Sequence, residues 1–337
     1  MIDYRSDTFT KPSPAMLEMM FKAEVGDDVW GEDPTINKLE HMMAGLFGME
    51  SAVFCPSGTM TNQIAIKCHT QPGDEVICDH ISHVYIYEGG GIALNAACSI
   101  RPLLGDRGRL TAEQVKNAIN PDDIHKPPSR LVSLENTANR GGGSCYDFRE
   151  LELIKEVCSE NGLALHLDGA RLFNALIAKG EAPHQYGQLF DSISICLSKG
   201  LGTPIGSVLL ASKAFIKKAR RFRKVYGGGM RQAGILAAAG IYALENNIER
   251  LAEDHHHTSL LKDALSKQDC IGNILPVETN IIIFEVKGRY TPALLAEKLF
   301  EKGIRVSAVS PNEVRMVLHL DINRKMVEET IQQLEAI

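Results

Sequence analysis

Short apolar runs rich in valine and isoleucine alternate with stretches of helical period through most of the chain, the pattern of parallel strands joined by helical crossovers. The runs fall at 51–55, 75–78, 131–134, 163–167, 192–197 and 207–211, each short enough for a strand. Helix starts are marked between them. Asp33-Pro34 supplies an N-cap and a first-turn proline ahead of Ile36, Leu39, Met43 and Leu46, whose spacing makes one apolar face, and Gly48 closes the segment. Asp147 followed by Glu150 opens another, with Leu151, Ile154 and Val157 on one side. After about residue 247 the order changes to a long polar helix, a strand at 280–286, a helix near 291–302, a strand at 313–320 and a final helix. The pattern predicts an α/β protein with a large domain over 1–247, including an amino-terminal arm, and a small α+β domain over 248–337. No internal repeat or low-complexity linker interrupts it.

Composition narrows the class. With 337 residues, 44% hydrophobic and 23% charged, the chain can bury a sizeable core. A formal charge of -6 and the absence of a dense basic patch give no footprint for nucleic acid, and the basic run at 217–224 reads as a solvated helix face. The eight cysteines include no CxxC pair, and Cys55, Cys78 and Cys196 sit in apolar runs, so reduced thiols are expected. The polar amino terminus is unlike a signal peptide, and no run approaches the ~20 apolar residues that span a bilayer. Cytoplasm is the expected compartment. The run His255-His256-His257 is not expected to bind metal, because consecutive residues point to different faces of a helix.

Candidate chemistry gathers at the ends of strands. The 163–167 run ends in Asp168-Gly169-Ala170-Arg171, and the 192–197 run ends in Ser198-Lys199-Gly200. An amine and an acid so placed are what pyridoxal phosphate needs, the amine for a Schiff base and the acid to keep the pyridine nitrogen protonated. Pro56-Ser57-Gly58-Thr59 follows a strand and opens a helix, offering free N–H groups to a phosphate. His83 lies just past the strand ending near Asp79, where an imidazole could stack on a cofactor ring and move protons. Arg171 could fork onto an amino acid carboxylate. No GxxxxGK[ST] is present to support a nucleotide-binding alternative.

Six runs, in order, resemble the threonine aldolases of the aspartate aminotransferase fold group, the β-eliminating lyase family of pyridoxal enzymes. They are residues 4–8 (YRSDT), 24–34 (EVGDDVWGEDP), 56–60 (PSGTM), 166–171 (HLDGAR), 197–202 (LSKGLG) and 227–232 (GGGMRQ). The resemblance implies fold type I, with a mostly parallel mixed sheet between helices, and retro-aldol cleavage of L-threonine or L-allo-threonine to glycine and acetaldehyde. It implies pyridoxal 5'-phosphate bound to Lys199, with Asp168 on the ring nitrogen, His83 on the ring, and Gly58 and Thr59 at the phosphate. Arg231 would join from a neighbouring subunit of a homotetramer, a dimer of dimers. Ser6, Arg171 and Arg315 would bind the carboxylate of a small amino acid substrate. His83 is the leading base, and His125 would approach the substrate hydroxyl. The family usually reads ENTHN where this chain has Glu135-Asn136-Thr137-Ala138-Asn139, a departure that bears on side-chain preference. The same frame could serve β-elimination, transamination or pyridoxal binding without turnover.

Overall fold

A computed structural model of the chain describes residues 1–335. Thirteen strands form three sheets among the described residues. β1 is Ile2–Asp3, and β2 to β8 are Ser51–Cys55, Glu75–Asp79, Ser99–Leu103, Ser129–Glu135, Ala164–Gly169, Ser192–Cys196 and Ser207–Ala211. β9 to β13 are Ile271–Ile274, Ile281–Val286, Ile304–Arg305, Ser307–Ala308 and Glu313–Val317. β2 to β8 make one seven-stranded sheet in the order β2-β8-β7-β6-β5-β3-β4.

All six apolar runs become strands of this sheet, and β5, β6, β7 and β8 are buried along nearly their whole length because helices cover both faces. The sheet is parallel except for β8, which pairs antiparallel with both β7 and β2. Only residues 197–206 separate β7 from β8, and a parallel return needs a crossover of a dozen or more residues, so the chain must turn back. β4 escapes the sequence pattern because it is an edge strand containing Pro102, half-exposed along its length.

The helix expected after Asp33 spans Pro34–Phe47. Asp33 Oδ1 accepts from the N–H groups of Thr35 and Ile36, and Gly48 ends the helix at φ +64°, a conformation that favours glycine. Its buried face, Ile36, Leu39, Met43 and Phe47, joins the main core. Leu46, assigned to that face from its spacing, is instead exposed, and Phe47 takes the inward position.

The carboxy-terminal strands form a four-stranded antiparallel sheet, β12-β13-β10-β9, with its own core. The amino terminus belongs to that core: β1 pairs in parallel with β11, and Ile2 and Tyr4 pack with Leu261, Leu299 and Val314. The first residues, expected with the large domain, are thus held by the carboxy-terminal unit. Arg5, Ser6 and Asp7 follow directly, and Asp7 reaches Arg171 just past β6 of the large sheet.

Candidate active site

The strands β2, β3, β5, β6 and β7 share one direction, so their carboxyl ends open on one edge of the sheet. This edge is where open α/β sheets bind ligands. It carries Gly58 and Thr59 after β2, His83 after β3, Glu135 on β5, Asp168 on β6 and Lys199 after β7.

Lys199 is half-buried, with Nζ 3.1 Å from the Sγ of Cys196. Asp168 is buried, and Oδ1 accepts from Ala170 N at 3.1 Å while Oδ2 accepts from Asn62 Nδ2 at 2.9 Å. The same Asn62 amide donates to Glu88 Oε1 at 2.9 Å, and Gln63 Nε2 donates to Glu88 Oε2 at 2.6 Å. Glu88 in turn holds His83 through Nδ1 at 2.9 Å. The His83 backbone N–H donates to Glu135 Oε2 at 2.8 Å, and Asn139 N donates to Oε1 at 2.9 Å.

These contacts set the charges. Burial alone would lower the His83 pKa, but the hydrogen bond to Glu88 and the carboxylates of Asp168 and Glu135 outweigh it and raise it above the usual imidazole range. Burial and the neighbouring Asp168 push the Glu135 carboxyl up to about 7, against the N–H groups of Asn139 and His83. Three acids and one imidazole therefore share a small volume.

A second cluster lies beside it. Arg171, buried, forks onto Asp7 through Nε and Nη2, both at 2.7 Å. Burial would raise the Asp7 pKa, yet Arg171 holds it below the usual carboxylate range. Arg315 on β13 donates to Asn139 Oδ1 at 2.9 Å and to the Arg5 carbonyl at 3.1 Å. Burial and the charge of Arg171 lower its pKa, which marks two cations held close together. Its Nε is buried with no partner among the described residues. Ser6, whose Oγ caps a short turn by accepting from Thr8 N, stands between the residues that the two arginines bind.

The helix Gly58–His69 begins at Ser57, whose Oγ accepts from Met60 N. The N–H groups of Gly58 and Thr59, in its first turn, have no intrahelical acceptor. A Cβ on Gly58 would lie 2.4 Å from Cys196 Sγ, so only glycine fits there, and the nearby Ser207 Oγ is buried without a partner among the described residues. Free N–H groups and an orphaned hydroxyl on one side, and Lys199 and Asp168 on the other, fit the phosphate, carbonyl carbon and ring nitrogen of pyridoxal phosphate.

Two sequence candidates lie apart from the cluster within one chain. His125 is exposed on the turn before β5, at the opposite edge of the sheet, and pairs with Asp123 at 2.8 Å. Arg231 is exposed and pairs with Asp27 at 2.9 Å. Ala138, at the departure from the family pattern, is buried with its Cβ against Gly108, whose φ is +86°. The three consecutive histidines do diverge: His255 bonds Asn174, His256 lies near Arg324 and His257 is buried. Asp7, Asn62, Glu88 and Asn139 were not singled out by sequence, although Asp7 lies within a run that carries the resemblance and Asn139 within the 135–139 segment that departs from it.

Residues 3–288 match the family described as β-eliminating lyase. A low-specificity L-threonine aldolase of Escherichia coli (strain K12) is 44% identical over 330 residues, covering 98% of this chain and 97% of that protein. Low-specificity L-threonine aldolase 1 of Arabidopsis thaliana is 41% identical over 337 residues, covering 98% and 94%. Among solved structures, a threonine aldolase of Leishmania major superposes with a TM-score of 0.87 at 22% identity, covering 100% of this chain and 99% of that one. A serine palmitoyltransferase of Sphingomonas wittichii superposes with a TM-score of 0.77 at 16% identity, covering 99% and 86%. These last two likenesses show the fold, which is the type I arrangement expected from the sequence.

Proposed function

The chain belongs to the β-eliminating lyase family, and from that premise we propose that it cleaves the Cα–Cβ bond of L-threonine and L-allo-threonine, giving glycine and acetaldehyde, with pyridoxal 5'-phosphate as cofactor. The observation that carries this reading is the meeting of Lys199 and Asp168 with the paired cations Arg171 and Arg315 at one edge of the sheet. The first pair suits the cofactor and the second suits an α-carboxylate.

Lys199, Asp168, His83, Gly58, Thr59 and Ser207 would hold the cofactor. Bound there, it supplies an electron sink for the pair released when Cα–Cβ breaks. The protein supplies position and proton transfer. Arg171 is fixed by Asp7, and Arg315 by Asn139, so their free faces present a rigid clamp whose orphaned Nε awaits an acceptor. Fixing the carboxylate at two points sets which bond to Cα faces the ring. Asp168, whose two carboxylate oxygens accept from Asn62 Nδ2 and Ala170 N, would hold a proton on the ring nitrogen. His83 is committed to Glu88 through Nδ1, which leaves Nε2 as the atom that takes the β-hydroxyl proton.

Arg231 and His125 are assigned to the site of a partner subunit in a homotetramer, a dimer of dimers. Their exposure and separation from their own chain's cluster support this, as does the exposed Trp30 near Asp27, the partner of Arg231. No helix among the described residues is long and apolar enough to cross a membrane.

Replacing Lys199 by alanine tests the cofactor assignment. The variant is expected to lose both turnover and the visible absorbance of lysine-bound cofactor, and persistence of that band would refute it.

A further inference from the structure

A continuous line of hydrogen bonds runs beneath the site between the helix Gly58–His69 and the adjacent strands β6 and β7. His69 Nε2 lies 2.8 Å from Ser192 Oγ, Ser192 Oγ lies 2.8 Å from His166 Nδ1, and His166 Nε2 lies 3.2 Å from Asn62 Oδ1. Asn62 Nδ2 then reaches Asp168 Oδ2 at 2.9 Å. His166 and Ser192 are wholly buried, and Asn62 nearly so, which leaves bulk water no part in arranging them.

Chemistry fixes the direction of every bond. Asn62 faces two carboxylates, Asp168 and Glu88, so the atom turned to them must be the amide nitrogen and the one turned to His166 must be the oxygen. An amide oxygen only accepts, so His166 carries its proton on Nε2. Burial pushes the His166 pKa down to about 3, which keeps the ring neutral and makes Nδ1 an acceptor. Ser192 has one proton, and it must go to that Nδ1. Ser192 Oγ therefore accepts from His69, whose Nε2 is protonated and whose ring burial also keeps neutral, with a pKa of about 4. All four donors point the same way, and donors aligned in series polarise one another.

We propose that His69, Ser192, His166 and Asn62 form a one-way hydrogen-bond chain that ends on Asp168 and orients its carboxylate, as an acceptor, for the cofactor ring nitrogen. Asn62 Nδ2 is shared between Asp168 and Glu88, and the bonds behind it fix which way that amide faces. His166 and Ser192 are thus positioning residues that act through Asn62 on Asp168 without touching substrate or cofactor. The inference rests on the functional reading only in naming the ring nitrogen as what Asp168 serves.

The first test needs no variant and no cofactor. Neutron diffraction from crystals of the perdeuterated, cofactor-free protein at neutral pD is expected to place deuterium on His69 Nε2, on His166 Nε2 and on Ser192 Oγ towards His166 Nδ1. Deuterium on His166 Nδ1 or on the Asp168 carboxylate would overturn the proposal. The second test separates action on the ring nitrogen from a general structural role. Ser192→Ala is expected to bind pyridoxal 5'-phosphate about fivefold more weakly, the scale of one lost hydrogen bond. Its affinity for the deaza analogue, in which CH replaces the ring nitrogen, is expected to change less than about twofold, and Ser192→Thr to keep wild-type affinity for both. Equal weakening for the two ligands, or none for either, would overturn the proposal. A wild-type protein that bound neither ligand would instead refute the functional reading, while the deuterium positions would still decide the direction of the chain.

Discussion

His83 is held from two sides, by Glu88 at Nδ1 and by Glu135 at its backbone N–H, and this decides when it can accept a proton. Its raised pKa means that the charged form persists above the usual imidazole range, so the base form appears only as pH rises through that elevated value. The acid limb of kcat/KM is therefore expected above about pH 6.5, the ordinary imidazole value. The limb belongs to the cluster, since Glu135 titrates nearby at about 7. Glu88→Gln removes the carboxylate on Nδ1 and should move the limb to lower pH; an unmoved limb would show that Glu88 does not set the basicity of His83. Lys199, Asp168 and Arg171 were legible in the sequence because each stands where an apolar run stops. Glu88 was not, since Tyr87-Glu88-Gly89-Gly90-Gly91 reads as an exposed turn. Its burial comes from Asn62 and Gln63, on a helix some twenty-five positions earlier.

Among the elements, the helix Gly58–His69 is the hinge of the site. Its first turn carries the N–H groups proposed for the phosphate, and four residues in, Asn62 reaches both Asp168 and Glu88. Gly58→Ala would drive a Cβ into Cys196 Sγ, the atom that Lys199 Nζ touches. The expected outcome is a loss of cofactor affinity of about tenfold or more, from a strain of 1–3 kcal/mol in a packed site, with unfolding still cooperative. Unchanged affinity in equilibrium titration would mean that the helix start does not define the cradle. At this scale the apolar runs foretold the seven-stranded sheet except for β4, whose edge position leaves no continuous apolar run. The reversal of β8 follows from the short 197–206 link, which was visible in the sequence but gained meaning only once both flanking runs were known to be strands.

Across the whole molecule, the site joins parts of the chain that sequence order keeps apart. β1 is anchored in the carboxy-terminal core, and that anchor brings Asp7 to Arg171 and the Arg5 carbonyl to Arg315. Such pairings, separated by well over a hundred residues, leave no local signal. The assignment of Arg231 to a partner's site makes a further prediction. Lys199→Ala and Arg231→Ala should each be nearly inactive alone, and an equal mixture of the two after subunit exchange should regain about a quarter of wild-type activity, because about half of the dimers are hybrids and one of the two sites in each hybrid carries neither lesion. No recovery after subunit exchange would place Arg231 in its own chain's site. The claim on which the rest depends is Cα–Cβ cleavage, and product analysis tests it most directly. Purified protein with pyridoxal phosphate, incubated separately with L-threonine and L-allo-threonine, should release glycine and acetaldehyde in equal amounts. Ammonia with 2-oxobutyrate in their place would contradict it.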